Sequence, residues 1–315
     1  MRLAADFHFR RLVTGGKFGF KTGTMSKKNK SGNTAFGAAM PRLIEQYQPG
    51  KTRLFNDPVL QYLLPAPVHF FLRFSASRQW MTGMFDKQTA GIAGSLVCRT
   101  KYIDDKTRFA VKNGVKQLLI LGSGLDTRPY RLPELKDLPV YELDLKYVQQ
   151  FKTKKLKKHL GSLPPNIRYL PVDFNHSSLS ETLKQSDFKF NEPVLIICEA
   201  VSQYITQDAA ELLLSSFSGF AQGSYLLFTY ILESVIQKRS AIPGVNDLLD
   251  FLEKRNSPWL SGFDPDRIAE DLGRHNIRLL EDQDAGFYQR RYLEPLGRTL
   301  PVSLIERSVF ACIQV

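Results

Sequence analysis

The apolar positions of this 315-residue chain change rhythm part-way along. Over residues 34–47 and 59–74 they recur with helical spacing, interrupted by Pro41 and by Pro65 and Pro67. A further helix is predicted over residues 92–113, ending before Gly114. Beyond it the pattern becomes apolar strand, turn and helix, repeated, with strands expected at residues 117–121, 139–143, 167–172, 194–198 and 225–230. Runs such as Leu118-Leu119-Ile120-Leu121 and Val194-Leu195-Ile196-Ile197 are apolar at every position, as strands covered by helices on both faces must be. An α/β fold around an open, mostly parallel sheet follows. Residues 208–220 read as a helix opened by a capping box of Asp208 and Glu211. Residues 278–280, 286–292 and 308–313 read as late antiparallel strands.

This pattern divides the chain into a basic, unstructured arm (1–30), a helical cap (31–115) and an α/β core with insertions (116–315), the last two forming one domain. The 43% hydrophobic content excludes a disordered or collagenous chain. The formal charge of +12 invites a nucleic-acid or anionic-membrane reading. That charge is concentrated: residues 1–30 hold eight cations against Asp6, or +7, and residues 146–158 hold six lysines and no acid, leaving −1 for the rest. No apolar stretch reaches the roughly 18–20 residues that span a bilayer. Cys98, Cys198 and Cys312 are scattered, without metal-ligand spacing, and fit small buried groups in a reducing compartment. A cytoplasmic location is expected. The arginine-bearing, acid-poor start weakly resembles a mitochondrial presequence, and Met25 as the working start is the preferred alternative.

Chemistry concentrates after the first strong strand, in Gly122-Ser123-Gly124-Leu125-Asp126-Thr127-Arg128. Glycines there let the backbone turn tightly and approach a ligand, at the carboxyl ends of the strands where open α/β sheets bind. Asp144 ends the next strand about twenty residues on, where a carboxylate can accept both hydroxyls of a ribose. Asp173 follows the third strand, placed to meet an adenine amino group with Phe174 against the ring. A nicotinamide enzyme would want a third glycine where Thr127 stands, and Asp126 would oppose phosphates. The loop suits an adenosine cofactor without phosphate, of which S-adenosylmethionine is the common one.

The segment Gly122-Ser123-Gly124-Leu125-Asp126-Thr127-Arg128-Pro129-Tyr130-Arg131-Leu132 resembles the G-x-G-x-D-T-R-x-x-R-L signature of the leucine carboxyl methyltransferase family, class I S-adenosylmethionine-dependent methyltransferases. Arg99-Thr100-Lys101-Tyr102-Ile103-Asp104-Asp105, Glu142-Leu143-Asp144 with Lys146, Cys198-Glu199-Ala200 with Tyr204, Gly262-Phe263-Asp264-Pro265 and Glu306-Arg307 resemble its other elements, over residues 31–315. The similarity is greatest to the bacterial-type branch. It implies a Rossmann-like sheet under an N-terminal helical cap. It also implies cofactor contacts from Arg99, Gly122, Gly124, Asp126, Asp144, Asp173, Phe174 and Glu199. Two departures loosen the inference to a leucine carboxylate: Gly32-Asn33-Thr34 stands where protein-methylating members carry a lysine, and Ala200 replaces a glycine.

A carboxylate acceptor is already ionised at neutral pH and needs no general base, whereas a hydroxyl would need one. No histidine lies in the motifs, and His176 is the nearest candidate. This favours O-methylation of a carboxylate, on a small molecule or a peptide, over a hydroxyl. Arg128 and Arg131 either receive that carboxylate or brace the loop; Tyr204 and Arg291 are further acceptor-side candidates. No metal is expected. The alternatives are an RNA- or protein-directed relative that uses Lys152, Lys154, Lys155, Lys157 and Lys158, with nucleic acid disfavoured because no base-stacking aromatics are interleaved among them, and a non-catalytic S-adenosylmethionine-binding module.

Overall fold

In the computed structural model residues 31–314 are described, apart from Ala90, Asn175 and Arg255. The predicted basic arm and Met25 lie outside the described residues. Seven strands form one sheet: β1 (Gln117–Leu121), β2 (Val140–Asp144), β3 (Ile167–Pro171), β4 (Val194–Cys198), β5 (Tyr225–Ile231), β6 (Ile277–Gln283) and β7 (Glu306–Ile313), in the order β3-β2-β1-β4-β5-β7-β6. The first five strands run parallel, and β7 lies antiparallel between β5 and β6.

The helices are α1 (Ser31–Glu45), α2 (Ala66–Leu72), α3 (Ser75–Thr89), α4 (Ile92–Lys112), α5 (Arg128–Arg131), α6 (Lys146–Leu160), α7 (Leu179–Lys184), α8 (Gln207–Ser216), α9 (Glu233–Ile236), α10 (Val245–Lys254), α11 (Ile268–Gly273) and α12 (Ala285–Tyr288). Strand residues alternate between two apolar layers. Leu119, Leu121, Tyr141 and Leu143 face one, while Leu118, Ile120 and Val140 face the other together with Val97, Tyr102 and Ile103 of α4. Both β1 and β4 are buried at every position, which is why they read as unbroken apolar runs. A third apolar cluster joins α1, the 59–64 segment, Leu72, Met81, Leu156 of α6 and Leu125 of the glycine loop. The helical layer therefore packs directly onto the loop after β1.

Several sequence expectations need correction. Residues 286–292 form not a strand but α12 and a continuing helical turn: Asp284 caps its start by accepting from the Phe287 N–H at 2.8 Å, and Tyr288 and Tyr292, four residues apart, share a helical face packed near Tyr102. The cap of α8 is Thr206, whose hydroxyl accepts from the Ala209 N–H, whereas Glu211 points away to His275 at 3.1 Å. The helix stops at Ser216, before a separate turn over Phe217–Gly219. The helix expected over residues 59–74 is cut into a short turn (Leu60–Tyr62) and α2, because Pro65 ends one segment and starts the next. Helices α3, α10 and α11 had no clear sequence signature. None of the described helices is long and apolar enough to cross a membrane.

Candidate functional site

The loop after β1 leaves the sheet where its order reverses, with β2 on one side and β4 on the other. Gly122 and Gly124 hold φ of +62° and +41°, and a Cβ on Gly122 would lie 2.6 Å from the Val201 side chain. Both glycines are thus required by conformation, and the first also by space. Asp144, at the end of β2, accepts from the Gly124 N–H and the Leu145 N–H, each at 2.6 Å. Burial raises its pKa, and these two amides work against that rise. The carboxylate fixes the loop while remaining partly accessible.

Beneath the loop lies a buried ionic network. Arg99 of α4 donates to Glu199 at 2.8 Å and to Glu306 at 2.5 Å. Arg128 donates to Asp104 at 3.0 Å, Asp126 at 2.7 Å and Glu199 at 2.8 Å. Arg131 grips both oxygens of Asp104, at 2.6 and 2.7 Å. Arg42 of α1 reaches Asp57 at 2.7 Å, the Thr127 hydroxyl at 2.9 Å and the Leu125 carbonyl at 3.2 Å. Four guanidiniums thus meet five carboxylates, a formal excess of one negative charge. Burial by itself would raise the Glu199 carboxyl, but Arg128, Arg99 and Arg42 hold it well below the ordinary range. Asp126 is likewise lowered, burial being overcome by Arg128. Burial raises Glu306 in spite of Arg99.

The structure brings Arg99, Gly122, Gly124, Asp126, Asp144 and Glu199 together at the carboxyl ends of β1, β2 and β4. Asp173 and half-buried Phe174 follow the end of β3, with Phe174 packed on the sheet core. Arg128 and Arg131 are occupied by the protein's own carboxylates, so bracing is the arrangement observed. Tyr204 lies in the turn after β4, and burial raises its phenol, which disfavours phenolate. Arg291 is exposed on the helical turn after α12, and His176 is exposed on the loop after β3. Lys152 departs from the lysine face expected of α6: it is fully buried and donates to Glu142 at 2.7 Å, whereas Lys154, Lys157 and Lys158 are exposed. The sequence reading missed Arg42 and Asp57, which no local motif marks. Asp104 and Glu306 stood in motif segments without an assigned role. Cys98 and Cys198 are buried, and burial pushes both thiols up to about 12. Among the described residues no group of three or more His, Cys, Asp or Glu is placed to hold a metal.

Ala200, directly after Glu199, sits at φ +55°, a conformation that costs an L-residue about 1–2 kcal/mol. Ala200→Gly should therefore raise the free energy of unfolding by about 0.5–1 kcal/mol after glycine's greater unfolded-state entropy is deducted, and with it the urea midpoint. An unchanged or lower midpoint would show that the bend is unstrained.

The strand order with its late antiparallel hairpin, the glycine loop after β1 and the carboxylate ending β2 define a Rossmann-like class I methyltransferase fold. A solved methyltransferase-like structure from Thermobifida fusca matches with TM-score 0.55 and 18% identity over 77% of this chain and 90% of that one. A DUF574 family protein from Streptomyces avermitilis matches at TM-score 0.54 and 13% identity, over 88% and 97%. Residues 35–218, more than half of the chain, match the leucine carboxyl methyltransferase family, and the chain belongs to that family. A proposed S-adenosyl-L-methionine-dependent methyltransferase of Mycolicibacterium smegmatis is 32% identical over 168 residues, 53% of this chain and 52% of that protein. One from Bacillus subtilis is 29% identical over 187 residues, 59% and 61%. The chain thus spans between half and two thirds of the length of these relatives.

Proposed function

We propose that this protein binds S-adenosylmethionine at the carboxyl ends of β1, β2 and β4 and catalyses transfer of its methyl group to an oxygen acceptor, a carboxylate before a hydroxyl. The ionic network carries the reading. Its carboxylates, with Glu199 held ionised by its arginines, suit a cofactor that carries an ammonium and a sulfonium beside its own carboxylate. The donor set fits in kind: Asp144 toward ribose hydroxyls, the Gly122 and Gly124 backbone beside the methionine portion, Glu199 toward the ammonium and Arg99 toward the carboxylate. Asp173 and Phe174 would face the adenine, and Asp126 would act through Arg128.

The bound cofactor supplies an electrophilic methyl on a positively charged sulfur. The chain's own task is alignment and exclusion of water, for which proximity effects of about 7–11 kcal/mol are available. Glu199, kept ionised by three arginines, is a fixed anion that needs no rearrangement. An acceptor carboxylate needs no proton removed. Tyr204, with its raised phenol, favours donating a hydrogen bond over taking a proton. Of the four described histidines, His159 stacks on Tyr62, His275 pairs with Glu211, His176 stays exposed, and His69 lies in α2, outside the network. The lack of a base among the network residues supports the carboxylate acceptor.

Calorimetry with S-adenosylmethionine and its demethylated product tests the reading. Binding of either supports it; binding of neither, or of NAD instead, overturns it. Asp144→Ala should weaken that binding by about 1–3 kcal/mol through lost charge-assisted hydrogen bonds. Full affinity in this variant would remove Asp144 from the cofactor site.

A further inference from the structure

The segment between β5 and β6 carries a buried donor that the methyl-transfer reading leaves unused. Trp259 follows α10, and the residues after it are tied to the carboxyl ends of β4 and β5. The Leu260 N–H donates to the Gln203 carbonyl at 2.7 Å, and the Ser261 hydroxyl to the Ser202 carbonyl at 2.6 Å. The Ser202 hydroxyl donates to the Thr229 carbonyl of β5 at 3.0 Å, and the Phe263 N–H to the Ile231 carbonyl at 3.0 Å. These bonds hold Trp259 against the turn that carries Tyr204. The indole packs on the cluster that includes Ile231, Val235 and Ile305, and Ile305 adjoins Glu306, the partner of Arg99. Yet Trp259 Nε1 is buried without a hydrogen bond of ordinary length. A buried donor left unmade is costly, so in a native fold it calls for a partner. The Tyr204 oxygen is the one at hand: burial raises the phenol, and Trp259 is the first influence that opposes the rise, ahead of Arg99. A donor turned toward the oxygen acts in that sense.

We propose that Trp259 is a positioning residue for Tyr204: its N–H takes the phenolic oxygen once cofactor fills the site, which turns the Tyr204 hydrogen toward the methyl acceptor. A phenol has one hydrogen to give and an indole can only donate, so the pair has a single direction. An ionised carboxylate, which only accepts, is the acceptor this direction fits. Neutral donors are needed there because the arginines are spent: Arg128 is engaged by Asp104, Asp126 and Glu199, and Arg131 by Asp104. Trp259 itself touches neither cofactor nor acceptor in this arrangement and acts through Tyr204. The inference rests on the proposed function for the identity of both ligands.

The test uses the full chain labelled with nitrogen-15. Its two tryptophans give two indole N–H resonances, assigned by Trp259→Phe and, independently, by Trp80→Phe. In complex with the demethylated cofactor product, the Trp259 N–H should exchange with solvent about tenfold or more slowly in the parent than in Tyr204→Phe, while Trp80 stays the same in both. Acetate, a bare carboxylate probe, should then shift the Trp259 resonance in the parent complex and leave it in place in Tyr204→Phe. Trp259→Phe should keep its affinity for the product within about twofold, because the indole N–H holds no cofactor group. Equal exchange in the parent and Tyr204→Phe, a Trp259 resonance blind to acetate, or a product affinity lost with Trp259→Phe would each overturn the proposal and leave cofactor binding by the parent as it is. A parent that binds neither S-adenosylmethionine nor its product would overturn the methyl-transfer reading along with it.

Discussion

Arg128→Met should lower the free energy of unfolding at neutral pH toward the upper end of about 3–5 kcal/mol, the cost of stranding a buried partner charge. The size follows from the number of groups stranded. Arg128 is 2% exposed and joins Asp104, Asp126 and Glu199, which come from α4, the glycine loop and the end of β4. Against a typical domain stability of about 5–15 kcal/mol, that is a large fraction. The pH dependence gives a second readout. Glu199 and Asp126 are held low in the folded protein, so their stabilisation is present above the ordinary carboxylate range and is lost as pH falls through their folded values. In the variant those carboxyls lose their main cation and protonate more readily. The deficit should therefore be largest near neutrality and narrow below about pH 4. Urea unfolding at both pH values measures it, and a deficit that stays constant with pH would mean that charge is not its cause.

Lys152→Met should cost a similar amount, about 3–5 kcal/mol, by leaving Glu142 without a cation in a fully buried site. Burial already raises the Glu142 carboxyl, with Lys152 the main opposing influence. Without the lysine the folded state prefers the protonated acid. The loss should grow as pH rises above the unfolded carboxylate value near about 4.3. Glu142→Leu combined with Lys152→Met removes both charges and should return stability to within about 1 kcal/mol of the parent. If the double variant is as unstable as the single, packing rather than the stranded charge is responsible.

The centre of the sheet was legible because β1, β2, β4 and β5 are buried on both faces and the turns after β1 and β2 carry glycine and aspartate, so period and turn chemistry agreed. The 286–292 segment was not, because tyrosines four apart satisfy both a helical face and a strand's alternation, and only the Asp284 cap and the packing against α4 decide between them. The short helices α10 and α11 lack strong caps in the sequence. At the site, the glycine loop and Asp144 could be found because backbone constraint leaves a local mark. Arg42 and Asp57 could not, because hydrogen bonds to the Thr127 hydroxyl from 85 and 70 residues away leave none. Lys152 shows the same limit from the other side: six lysines within thirteen residues look alike until one of them turns inward.

The pairing of Asp104 with Arg128 and Arg131 also bears on the order of assembly. During synthesis the helical layer emerges first, and with it Asp104, whose cations Arg128 and Arg131 come 24 and 27 residues later. Until those arginines are made, α4 can bury Asp104 only without its cations. Strand β1 and the glycine loop are therefore expected to be in place before the layer that precedes them consolidates, so that a chain ending short of residue 128 should leave α4 unprotected from amide exchange.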